Sequence, residues 1–194
     1  LPSLPAIATD FSVDITQSQL SVSAYMLFFA LSQWVYGPLS DAVGRRKPLL
    51  FGISLLLVGS VICAVAPSIM WVIVGRAVQG AGAGSVITLS RAILRDLYSG
   101  TRLAQFGSYL AACGVLVISF APLLGGVIQH YLHWRISFTF IAVYTAVTIL
   151  VIVFKFPETN QHQSKHLLSR KQWKIHLKTI FQNKVFIAMS VIVF

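Results

Sequence analysis

Long apolar runs without alternation organise this chain. Residues 15–40 carry no formal charge between Asp14 and Asp41. Residues 48–75 are likewise uncharged, broken by the turn signal Ala66-Pro67-Ser68. Residues 77–90 continue after the single Arg76, and 103–134 and 136–154 hold no Asp, Glu, Lys or Arg. A helix needs about 20 apolar residues to cross a bilayer. A membrane barrel strand needs roughly 10 residues of alternating polarity. The pattern therefore predicts five spanning helices, at about 17–39, 48–66, 69–91, 103–127 and 136–154, in an all-α polytopic membrane bundle. Leu1-Pro2-Ser3-Leu4-Pro5 is too short and proline-rich to span, and fits the exit end of a helix whose body precedes it. Residues 155–184 read as a polar linker, and 185–194 as the start of a further span.

Composition sharpens this picture. Charged residues make up 10% of the chain and hydrophobic ones 56%, where a soluble domain carries about 25% charged. Five such runs joined by short loops leave too little polar surface for a water-soluble helical core. The net charge of +10 would suggest nucleic acid in a soluble protein. In this chain it marks topology. Thirteen of the fifteen basic residues fall after the first span (Arg45, Arg46, Lys47), after the third (Arg91, Arg95, Arg102) and after residue 154. These are alternate loops, so they lie on one side, and the positive-inside rule makes that side cytoplasmic. Loops 40–47, 92–102 and 155–184 are thus expected inside, with Asp10, Asp14 and Arg135 outside.

The linker holds Lys171, Lys174 and Lys178 at helical spacing beside Trp173, Leu177 and Phe181. A solvated linker helix or one lying on anionic headgroups would both show this pattern. His162 and His166 lack a third ligand partner, so no metal site is expected. Cys63 and Cys113 lie inside apolar runs and suggest no disulfide framework.

Three segments carry chemistry. The first cytoplasmic loop places Gly37, Leu39, Asp41, Gly44, Arg45 and Arg46 in a tight turn between two spans. Asp41 can cap a helix start or pair with an arginine, and the arginines offer forked donors. The third span contains Arg76, Gln79 and Gly80, with Gly84 beyond. An arginine in a span costs about 2.5–3.5 kcal/mol on insertion scales, which makes it a functional candidate, with snorkelling to an interface as the rival reading. Gly80 and Gly84 permit close helix contact. The fourth span ends Ala121-Pro122-Leu123-Leu124-Gly125-Gly126, where proline bends a helix and glycines thin it.

These segments resemble the major facilitator superfamily. Gly37, Leu39, Asp41, Gly44, Arg45 and Arg46 match its loop signature G-x-L-x-D-x-x-G-R-R/K, with Ala42 where the family often has Arg. Arg76-Ala77-Val78-Gln79-Gly80 is similar to its R-x-x-Q-G motif. Pro122, Gly125 and Gly126 are similar to its antiporter motif G-P-x-x-G-G, with Ala121 in the first glycine's place. The stretches Leu1-Pro2-Ser3-Leu4-Pro5-Ala6-Ile7-Ala8, Arg95-Asp96-Leu97-Tyr98, Trp134-Arg135 and Pro157-Glu158-Thr159 resemble the bicyclomycin/chloramphenicol-resistance multidrug branch. The resemblance implies the first six-helix half of a secondary transporter, probed by three expectations. The loop would gate the inner side during alternating access. Arg76 would serve proton coupling, and the antiporter motif would imply export by exchange. A proton gradient would be the energy source, with no cofactor, in a full-length protein that is a monomer of a bacterial inner membrane.

A drug cavity needs aromatic walls with a few polar groups. Tyr25, Phe29, Gln33 and Tyr36 recur on one face of the first span, and Tyr109, Cys113 and Tyr144 could join them. No acidic residue lies within a span, so a titrating carboxylate for proton exchange is expected in sequence outside this chain. Export of an endogenous sugar or amino acid is the alternative. A membrane enzyme would need converging acid, base or nucleophile groups inside spans, and none are seen. A non-transporting receptor or scaffold leaves the three motifs unexplained.

Overall fold

The computed structural model describes residues 4–131 and 133–160, and every regular element in them is helical. Six helices follow in order: α1 Leu4–Asp10, α2 Ile15–Val43, α3 Arg46–Ala64, α4 Ile69–Leu97, α5 Gly100–Tyr131 and α6 Trp134–Lys155. Helices α2 to α6 fall on the five apolar runs, most of them extending beyond the run. α3, α4, α6 and residues 100–127 of α5 are long and apolar enough to cross a membrane. α2 has the length, at 29 residues. Its polar residues, among them Gln17, Gln19, Ser21, Ser23 and Gln33, dilute its hydropathy. The amphipathic stretch at 171–181, His162, His166 and the run 185–194 lie outside the described residues.

The connections are short and have local causes. α2 stops at Gly44, whose φ of 98° favours glycine, and its N–H donates to Ser40 O at 3.1 Å. Pro48 sits in the first turn of α3, where no intrahelical N–H partner is lost. Ser68 precedes α4 in extended geometry, and its carbonyl accepts from Trp71 and Val72 N–H. The Phe156-Pro157 step ends α6.

α4 lies between α2 and α3, and α3 also packs on α6. Glycines set these distances. On α4, Gly75 and Gly82 face α3: a Cβ on Gly75 would meet Cys63 and the Gly59 carbonyl, and one on Gly82 would meet the backbone of Gly52 and Leu56. Gly80 and Gly84 face α2, where a Cβ would run into the Tyr25 carbonyl or into Ser32 and the Phe29 carbonyl. The expected close contact at Gly80 and Gly84 is therefore present.

The burial pattern suits a lipid exterior. Ser18, Ser21, Ser60, Gln79, Ser85 and Thr145 are buried. Phe154, Ile118, Val65 and Phe140 are among the exposed residues. Small and polar residues make helix contacts in a bilayer, and large apolar ones can face the acyl chains. Two apolar clusters close the ends of the bundle. One joins Ile7, Cys63, Ala66, Val72, Trp134 and Phe138. The other joins Tyr36, Leu49, Ile53, Leu89 and Ile152. α5 stands apart. It contacts α4 and α6 only lightly, and a Cβ on Gly114 or Gly126 would have nothing within 4 Å.

Candidate functional site

At the basic end of the bundle, three distant segments converge on the first loop. Arg45 is 8% exposed. Its Nε donates to Asp96 Oδ2 at 2.8 Å, and its Nη1 donates to Ser40 Oγ at 2.6 Å and Asp41 Oδ1 at 2.5 Å. Glu158 supplies the third segment. Its carboxylate accepts from the backbone N–H of Arg45 at 2.7 Å and of Arg46 at 3.1 Å. These are the free donors at the start of α3, so the charge also meets the positive end of a helix dipole. Arg46 Nη2 donates to Val153 O at 2.6 Å, and Asn160 Nδ2 donates to Asp41 O at 3.2 Å. One guanidinium and one carboxylate thereby tie the ends of α2, α4 and α6 to the start of α3.

The ionisation of both groups follows from this geometry. Burial works against the Arg45 charge, but the hydrogen bonds and charges of Asp96 and Asp41 outweigh it and raise its pKa above the ordinary guanidinium value. Burial likewise works against the Glu158 carboxylate, yet the N–H groups of Asn160, Arg45, Arg46 and Thr159 hold its pKa below 4.5. Both stay charged across the physiological range.

The opposite end has its own fastening. Asp10 Oδ2 accepts from Arg135 Nη1 at 2.8 Å and Trp134 Nε1 at 3.2 Å. Arg135 Nη2 donates to Ala66 O at 3.0 Å, and its guanidinium lies 4.4 Å from the Trp134 ring centre. The hydrogen bond from Arg135 lowers the Asp10 pKa. α1, the α3–α4 turn and α6 are joined there. Alternate loops thus gather at the same end, as the charge distribution anticipates.

Between the two ends lies Arg76, half-buried within α4. Its Nη1 donates to Gln79 Oε1 at 3.0 Å. Gln79 Nε2 donates to Ser60 Oγ on α3 at 2.8 Å, and Ser60 donates to Leu56 O at 2.7 Å. The guanidinium lies over the Tyr25 ring of α2, 4.1 Å from its centre. Tyr25 is stacked on Phe29, with ring centres 5.9 Å apart. An isolated cation would be costly at this depth; a ring face and a fixed amide offset part of that cost.

The other sequence candidates scatter. Gln33 is half-buried on α2 and donates weakly to Phe29 O at 3.4 Å. Tyr36 joins the apolar cluster at the basic end. Tyr109 and Cys113 on α5 and Tyr144 on α6 are exposed. Tyr109 accepts from Gln105 on its own helix. Pro122 lies inside α5 and is exposed, with Gly125 and Gly126 half-buried beside it. An apolar crevice between α2, α3 and α4 is lined by Ala24, Phe28, Leu55, Ile73 and Ala77. It has no polar group to orient a ligand. Among the described residues, no group of three His, Cys, Asp or Glu side chains is placed to hold a metal.

Sequence reasoning did not assign roles to Ser60, Asp96, Glu158 or Asn160. The signal was present in Arg95-Asp96 and Pro157-Glu158-Thr159, but spacing alone does not say that these segments meet Arg45.

The family model described as Major Facilitator Superfamily matches residues 1–194. The chain belongs to the major facilitator superfamily. It is 37% identical over 161 residues to the MFS-type transporter YdgK of Bacillus subtilis (strain 168), covering 82% of this chain and 40% of that protein. It is 32% identical over 187 residues to Multidrug resistance protein D of Escherichia coli (strain K12), covering 96% and 46%. Other relatives are named as multidrug resistance proteins or efflux pumps. A solved peptide transporter POT shares the fold, with a TM-score of 0.69 at 19% identity over 95% of this chain and 39% of that one. The chain spans less than half the length of these relatives. The family's members are multi-pass membrane transporters of small molecules.

Proposed function

We propose that this chain forms the first helical bundle of a proton-driven exporter of drugs or other small amphipathic molecules. Alternating access would come from rocking of this bundle against a second one around a central site. The observation that carries the reading is the Arg45 cluster. It ties four helix ends of this bundle together through short polar contacts, so that the bundle can rock as one rigid unit. The names of the multidrug and efflux relatives support the export direction. The basic end faces the cytoplasm in this reading, in a bacterial inner membrane. Arg76 is assigned to coupling, because a permanent charge beside a transport path shifts the proton affinity of any carboxylate that approaches it.

The test uses the full-length protein in cells lacking other exporters. Ethidium accumulation is expected to fall on expression, to recover with a protonophore, and to recover fully in Arg76→Ala. Accumulation unaffected by the protonophore would remove proton coupling. No drop for any dye, with competition by sugars or amino acids instead, would favour export of an endogenous metabolite.

A further inference from the structure

Arg76 is held with part of its hydrogen-bonding capacity unused. A guanidinium has a flat face and a planar rim of five N–H donors. The face is committed to the Tyr25 ring, and one rim position, Nη1, is committed to Gln79. Stacking uses the face and leaves the rim free. Among the described residues, no hydrogen-bond acceptor meets Nε or Nη2.

The chain's five acidic residues all lie elsewhere. Asp10 meets Arg135 at one end of the bundle. Asp14 stands at the N-cap position of α2 at that same end, away from Arg76, without a side-chain hydrogen bond to the helix. Asp41 and Asp96 meet Arg45 at the other end, and Glu158 binds the start of α3 beside them. The groups around Arg76 are neutral: Tyr25, Gln79, Ser60 and Cys63. Ser60 fixes Gln79, and Gln79 fixes the guanidinium, so the open rim has a set direction. Gly80 and Gly84 hold α2 close enough to keep Tyr25 and Phe29 in place.

We infer that the open rim of Arg76 is a binding site for the carboxylate of an amphipathic acid, whose apolar body lies along the Tyr25–Phe29 pair. The rim matches a carboxylate as a two-bond fork, which a neutral group or a cation cannot use. A cation placed there would also meet the fixed positive charge at close range. The inference rests on the exporter reading and adds amphipathic acids, held at this rim, to its substrates. A carboxylate side chain from the rest of the full-length protein has the same chemistry, and the test separates the two sources.

The experiment is equilibrium dialysis of purified full-length protein with 2-naphthoate and with methyl 2-naphthoate, which has the same rings without the charge. Wild type is expected to bind the acid at least tenfold more tightly than the ester. Arg76→Gln is expected to remove that preference, and Arg76→Lys to keep part of it. Equal binding of acid and ester by wild type overturns the inference, as it would if a protein carboxylate already occupied the rim. Acid preference that survives Arg76→Gln overturns it too. Ethidium export by the same protein is read in parallel. If export persists while acid and ester bind alike, the inference falls and the exporter reading stands. If Arg76-dependent acid binding occurs without export of any dye, the exporter reading falls and the site stands.

Discussion

Arg45 and Arg76 are the same residue in two settings, and the contrast separates fastening from function. Arg45 reaches carboxylates on two helices, Asp41 and Asp96, while its own N–H is held by a third, Glu158. Its charge is balanced where the bundle meets water. Arg76 has a neutral amide and a tyrosine ring, inside a span. Removing Arg45 would strand two acids. Removing Arg76 would strand only an amide that already has Ser60 as a second partner. The first guanidinium holds the structure together, and the second is a cost the structure carries.

The strongest way to break this comparison is to truncate each arginine in the full-length protein. Arg45→Ala is expected to lower stability by about 2–3 kcal/mol, below the range for fully buried pairs because Asp41 is half exposed. Arg76→Leu is expected to change stability by less than about 1 kcal/mol while abolishing export, since it removes a charge from a span. Thermal unfolding in detergent together with dye efflux reads both. Equal destabilisation by the two changes would erase the distinction.

A smaller effect comes from Glu158. Its folded pKa lies below the ordinary 4.5. Its contribution is therefore complete above that value and fades as pH falls through the lower folded value. Glu158→Gln is expected to cost about 1–2 kcal/mol at pH 7, the worth of hydrogen bonds to a charged acceptor. Wild type and variant should converge as the solution is acidified below the ordinary carboxylate value and through the lower folded one. A constant gap across pH would show that the charge is not what matters there.

The smallest effect tests how Arg76 is aimed. Ser60→Ala removes one hydrogen bond to Gln79 and is expected to cost about 1 kcal/mol or less. Dye efflux should fall more than stability does, because the guanidinium loses its set direction. Loss of stability without loss of efflux would make Ser60 a packing residue alone.

Much of the fold was legible in the sequence. Charge-free runs near 20 residues long can do little but cross a bilayer as helices, because lipid offers no partner for an open backbone. α3 and α6 match their expected spans closely. The basic residues marked one end, and the structure gathers Arg45, Asp96 and Glu158 there. The site was legible in part. Asp41 beside Arg45 and Gln79 beside Arg76 follow from helical spacing, since residues three and four apart share a face. The proposed grouping of Tyr109, Cys113 and Tyr144 with Tyr25 drew on residue type alone, and these side chains lie exposed on α5 and α6.

The sequence by itself determined that this chain is a stack of membrane helices with one stranded arginine and a charged first loop. Hydropathy and charge are local properties, and each span meets the bilayer on its own terms. Only the tertiary structure decided which helices those charges join. Asp96 reaches Arg45 across 51 positions and Glu158 across 113. Only the packing divided the α4 glycines between two faces, with Gly75 and Gly82 toward α3 and Gly80 and Gly84 toward α2. That division brings Tyr25 beneath Arg76 and leaves the rim of its guanidinium open. A contact between distant segments depends on how helices pack, and one sequence read along its length does not record that.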